Sequence, residues 1–114
     1  MKIKKWVDYK DQDAVVEGER WSIVRLIALS ADLPVMNVPL KHLNIDYAYT
    51  KASLRDMAMH LNAVNAADLT YPIILNADGA VLDGRHRIIK ALMLKEKTIK
   101  AVRFEVDPAP DSIS

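Results

Sequence analysis

Near residue 82 an apolar, strand-like run, Val81-Leu82, passes through Asp83 and Gly84 straight into Arg85-His86-Arg87. That order of residue types suits an anion. The first backbone N–H groups of a helix have no intrahelical acceptor, so a helix opening at Gly84 turns them, with the positive end of its dipole, into the space beyond the strand. Gly84 lets the backbone approach a ligand closely, Arg85 and Arg87 add two permanent cations, and His86 adds a titratable imidazole. Cations at a helix start are opposed by the dipole, by about 0.3–1 kcal/mol each. A bound anion accounts for them; the alternative is a simple capped helix in which Asp83 is the cap and the counter-charge of the arginines. The candidate phosphate-binding residues are therefore Gly84, Arg85, His86 and Arg87. Asp83 either caps the helix or takes a Mg²⁺ ion.

Helical spacing separates these side chains. Arg85 stands at i, i+3, i+4 and i+7 with Ile88, Ile89 and Leu92, which points it into the crevice above the sheet. Arg87 and Lys90 fall on another face, as solvated groups or phosphate contacts at the rim, and His86 lies between. A second constellation is Asp56 with His60, i and i+4 on one helix, where a carboxylate can hold an imidazole in one tautomer. If the bound phosphate reacts, Asp83 and His86 are the first acid/base candidates, with Asp56 and His60 behind them. His42 has no partner in the sequence, the three histidines lack metal-ligand spacing, and the tryptophans and tyrosines are scattered without the basic–aromatic interleaving of single-strand binders.

These residues need elements to hold them. Ser22 caps a helix over 22–31 whose Ile23, Leu26 and Ile27 face the core, and it ends before Pro34. Pro34–Pro39 is extended. Thr50 or Ser53 opens a helix over 51–65, in which Leu54, Met57, Ala58, Leu61 and Val64 form a stripe that must pack on something apolar. Tyr71–Asn76 reads as a buried strand, Asn76-Ala-Asp-Gly79 as a tight turn, Ala80–Leu82 as the returning strand, 85–94 as a helix and Thr98–Phe104 as a last strand. Residues 1–9 suit a lysine-rich edge strand, and 11–18 a polar loop. The order gives an α+β domain of three main helices against a small mixed sheet. It is divided into an N-terminal strand and helix over 1–34, a core over 35–106, and a Pro/Asp/Ser-rich tail over 107–114 without fixed structure.

Composition bounds the setting. The chain has 114 residues, which fit one domain, and no cysteine, which excludes a disulfide scaffold, a thiolate metal cluster and a cysteine nucleophile. The apolar runs are too short for a membrane span and the N-terminus lacks the apolar stretch of a signal peptide, so a cytoplasmic protein is expected. The formal net charge is +1, unevenly laid out. Five acidic residues fall between Asp8 and Glu19, and Glu105, Asp107 and Asp111 make the tail acidic. Seven basic residues against Glu96 lie between Arg85 and Arg103. That distribution suits one small anion at a helix start better than a polyanion tracked across the surface.

The run Tyr71-Pro-Ile-Ile-Leu-Asn-Ala-Asp-Gly-Ala-Val-Leu-Asp-Gly-Arg-His-Arg-Ile-Ile-Lys-Ala91 resembles the core of the ParB/sulfiredoxin superfamily, with Met36-Asn-Val-Pro-Leu40 in the place of its first strand. The likeness spans about residues 35–104 and is most specific at Asp83–Arg87. It implies a loop that binds nucleotide phosphates, ATP in sulfiredoxins and in a free-serine kinase, CTP in partition proteins. The sulfiredoxin cysteine is matched here by Arg85, so that repair chemistry is not implied. Kinase relatives carry Asp-Gly-His-His-Arg, which differs in that run at Arg85 alone, so nucleotide binding with Mg²⁺ is implied and phosphoryl transfer is conceivable. In the Gly-Glu-Arg-Arg of partition proteins, Arg85 and His86 replace the Glu and the first Arg. The whole layout is similar to short, stand-alone ParB-like proteins of bacteria. The function expected is binding of a nucleotide or other phosphate-bearing ligand at residues 82–87. The alternatives are a nucleic-acid-binding or nuclease-like accessory working through the basic block 85–103, and a non-enzymatic interaction domain.

Overall fold

Alternate residues of a strand face opposite sides of a sheet, and Ile73-Ile74-Leu75 is apolar at every position, so both faces of its sheet require cover. The computed structural model, which describes residues 13–47 and 52–113, provides it. Among these described residues, seven strands and three α-helices run in the order β1 (Asp13–Val16), β2 (Glu19–Ser22), α1 (Ile23–Ser30), β3 (Met36–Pro39), α2 (Leu54–Ala66), β4 (Ile73–Leu75), β5 (Val81–Asp83), α3 (Arg85–Met93), β6 (Thr98–Arg103) and β7 (Ser112–Ile113). A 3₁₀ turn, Leu40–His42, follows β3. The protein is a small α+β molecule. No helix among the described residues is long and apolar enough to cross a membrane.

Four strands form a mixed sheet in the order β3-β6-β4-β5, with β4 parallel to β6 and the other pairs antiparallel. Its alternation divides the core in two. Ile73, Leu75, Val81, Ile99 and Ala101 pack with Ile88 and Ala91 of α3 and with Leu40 and Leu43. Ile74, Leu82 and Val102, on the other face, pack with Phe104, Ala14, Trp21, and Ile23 and Leu26 of α1. Neighbouring residues of β4 thus serve different cores. The segment before residue 35 contributes to the second core and is joined to the rest by packing.

Four expectations are corrected. Residues 13–16 are a strand and not a polar loop: Ala14 points into the core, and Glu17 and Gly18 (φ 51° and 81°) make the two-residue turn that pairs β1 with β2. The tail is ordered through residue 113. Pro108 accepts the Trp21 indole N–H at 2.9 Å, the Asp111 N–H donates to Arg20 at 2.7 Å, and β7 adds to β2. A buried indole needs an acceptor, and the tail supplies it. On α2, only Val64 of the expected stripe is buried; Leu54, Met57 and Leu61 are 93%, 38% and 50% exposed. On α1, Ile23 and Leu26 face inward as expected, but Ser30 and not Ile27 completes the buried side. The expected strand at 1–9 lies outside the described residues.

The turn over Asn76–Gly79 forms as expected, with Asn76 Oδ1 accepting from the N–H groups of Asp78 (3.0 Å) and Ala80 (2.8 Å) and with Gly79 at φ 89°. It returns the chain one residue later than expected, so that β5 ends at Asp83.

Candidate functional site

Gly84 is the hinge of the site. It is the N-cap of α3 at φ 114°, a left-handed conformation that glycine adopts without strain, and it offers the helix no side-chain cap. Space allows nothing larger. A Cβ at Gly84 would collide with Ile73 Cγ2 and lie 2.8 Å from Ile73 Cβ and 3.2 Å from its Cα. Backbone of the β5–α3 junction therefore presses directly on β4, and the first turn of α3 is held against the sheet end. The expected capping role of Asp83 is corrected here: the N-cap position is Gly84.

Asp83 serves as a counter-charge instead. Its Oδ2 lies 2.9 Å from Arg87 Nη2, both side chains mostly buried, and Arg87 Nη1 donates to the Pro72 carbonyl at 2.9 Å. Arg87 is thus committed to bracing β5 and the entry to β4, and the expectation of a solvated or rim phosphate contact is corrected. Lys90 is committed as well, donating to the Asn65 and Ala67 carbonyls at 2.9 and 2.6 Å, where it meets the negative end of α2. Arg103 donates through Nε and Nη2 to the Ala77 carbonyl. Three members of the basic block 85–103 therefore hold the fold together with their donors.

Arg85 differs from them. Its Nε–H donates to the Tyr47 hydroxyl at 3.2 Å, and it forms no ion pair with a described carboxylate. As its spacing predicts, Arg85 shares a face with Ile88, Ile89 and Leu92, and with Ile45 and Tyr47 these line a pocket. Tyr47 and Ile45 were not among the sequence candidates. They sit on an irregular segment whose pattern carries no period.

His86 turns to the opposite side and meets His60. The two were picked out separately in the sequence, 26 residues apart, and the packing of α2 on α3 sets His60 Nδ1 3.2 Å from His86 Nε2, with ring centroids 5.5 Å apart. One imidazole donates and the other accepts, so the contact suits at most one cation. Burial lowers the His86 pKa from its ordinary 6.5, the His60 imidazole and Arg87 lower it further, and Asp83 acts against them. Asp56 stands exposed in the first turn of α2, its backbone N–H donating to Ser53 Oγ at 3.1 Å. No group of three or more His, Asp or Glu side chains suited to a metal ion occurs among the described residues.

At one helix start, then, the structure brings together a left-handed glycine that offers no side-chain cap, a guanidinium without a carboxylate partner among the described residues and a hydrogen-bonded imidazole pair. No family model matches the chain, and no curated protein matches it.

Proposed function

We propose that the chain is a ParB-like domain protein that binds a nucleotide or other phosphate-bearing ligand at the β5–α3 junction, residues 82–87. The observation that carries this is the start of α3 behind Gly84, which offers no side-chain cap, with Arg85 beside it lacking an anionic partner among the described residues. Phosphate oxygens would accept from the first-turn N–H groups and from Arg85, which is the usual chemistry of anion binding at a helix N-terminus. His86 would add a third donor when protonated. Gly84 contributes close approach, and Arg87 acts at one remove by fixing Asp83. Asp83 Oδ2 is engaged by Arg87, so a Mg²⁺ ion there would draw one carboxylate from the protein and its other ligands from phosphate and water.

The charge distribution favours a small anion over nucleic acid. Arg87, Lys90 and Arg103 direct donors to backbone carbonyls, and the exposed Lys95 and Lys97 follow the far end of α3 while Lys100 lies on β6, so the cation beside the helix start is Arg85. Isothermal titration with ATP, CTP, GTP and inorganic phosphate, with and without Mg²⁺, tests the proposal. Binding of at least one of them, weakened tenfold or more by Arg85→Ala, is expected. Absence of binding to all of them rejects it. An affinity that instead falls steeply with salt for oligonucleotides would favour the nucleic-acid alternative.

A further inference from the structure

The pocket beside Arg85 has a size and a chemistry of its own. Arg85, Ile88, Ile89 and Leu92 on α3, with Ile45 and Tyr47 opposite, line a half-open pocket of about 80 Å³. The wall is aliphatic except for the Tyr47 ring and hydroxyl and the Arg85 guanidinium, and the bond from Arg85 Nε to Tyr47 holds that guanidinium at the pocket edge. Ile88 is buried while Leu92 is 48% exposed, so the closed end lies toward Ile88 and the rim at Leu92. Arg85 belongs both to this wall and to the helix start.

We propose, resting on the phosphate site described above, that its ligand is a phosphate monoester whose organic part is a short aliphatic or single-ring group seated in this pocket, its phosphate on Arg85. Size favours a small group. At about 80 Å³ the half-open pocket is well below the roughly 300–1,000 Å³ of sites that bury drug-sized ligands, so a short organic group seated on its wall is favoured over a purine with its ribose. The wall sets the polarity. Ile45, Ile88, Ile89 and Leu92 offer no side-chain donor or acceptor to read the edge of a nucleobase, whereas each methylene withdrawn from water there is worth about fourfold in affinity. Apart from the Tyr47 hydroxyl, the Arg85 guanidinium is the polar group of this wall; it supplies the counter-charge to a monoester's phosphate, and the apolar surroundings strengthen that attraction over its value in water.

Calorimetric titration of the full chain at one pH with n-butyl phosphate, inorganic phosphate and AMP tests this. Butyl phosphate is expected to bind ten- to hundredfold more tightly than inorganic phosphate. Leu92→Ser, at the exposed rim where folding tolerates it, should cut that advantage at least threefold and leave inorganic phosphate binding unchanged, while Arg85→Ala should weaken both. Equal affinity for butyl and inorganic phosphate, or tighter binding of AMP than of butyl phosphate, overturns the pocket assignment and leaves the phosphate site standing. Failure of all three to bind removes the phosphate site and this inference with it.

Discussion

Helices α1 and α3 both begin directly after a strand and both carry an arginine in or near the first turn, yet they complete their N-termini in opposite ways. At α1, Ser22 Oγ accepts from the Arg25 N–H at 3.3 Å. Asp111 then arrives from the tail: its Oδ2 accepts from the Ser22 N–H at 2.6 Å and its Oδ1 lies 3.3 Å from Arg25 Nη1. At α3 the N-cap is Gly84, which has no side chain to cap with, and the adjacent Asp83 is turned to Arg87. The chain thus answers one helix start and its arginine with a built-in carboxylate, and leaves the other start and Arg85 without one among the described residues. A carboxylate bridging N–H and guanidinium at α1 is an internal example of what an external phosphate would do at α3.

The comparison can be broken most forcefully at Gly84. Gly84→Ala places a Cβ against Ile73 and forces a left-handed backbone on alanine. Strain of about 1–2 kcal/mol and overpacking of about 1–3 kcal/mol predict a loss of about 2–5 kcal/mol, read as a lowered urea midpoint. An unchanged midpoint would mean that the tight approach to β4 is not what holds the helix start in place. Asp111→Ala comes next. It removes the built-in anion of α1 and should cost about 1–2 kcal/mol, with no effect on phosphate binding at α3. A loss of phosphate binding in this variant would show that the two helix starts are not independent.

The smallest effect concerns His86. Its folded-state pKa is lowered, so the unfolded chain binds the proton more readily. The stability it contributes is full above the ordinary 6.5 and is lost as pH falls below that value toward the folded pKa. Thermal melts between pH 5 and 8 should show this acid limb, and His86→Gln should flatten it. An identical pH profile in the variant would assign the limb to other groups.

The elements around the site were legible because each carries its own local signal. Ser22 and Ser53 cap as their positions before apolar periods predict, Asn76–Gly79 turns as its Asp-Gly pair predicts, and Arg85 shares the face of Ile88, Ile89 and Leu92. What was not legible depends on partners remote in sequence. The pairing of His60 with His86 follows from the packing of α2 on α3, and Lys90 is claimed by carbonyls that exist only because α2 ends beside it. Arg87 resembles Arg85 in type and differs in fate because Pro72 and Asp83 lie on its side of the helix. The tail reads as unstructured from composition, since nothing in 107–113 announces that Trp21 and Ser22 need acceptors. The first hairpin was missed because Glu17 takes a turn position more often held by Asn or Asp.

Strand β4 has a consequence for how the molecule comes apart. Ile73 and Leu75 are anchored in one core and Ile74 in the other, on a strand of three residues that also lies hard against Gly84. Neither half can let go of β4 without stripping the support of the other, so the two cores behave as one cooperative unit and the helix start that Gly84 positions belongs to it. The start of α3 is therefore fixed by both cores at once, and its geometry does not depend on the outer turns of the helix.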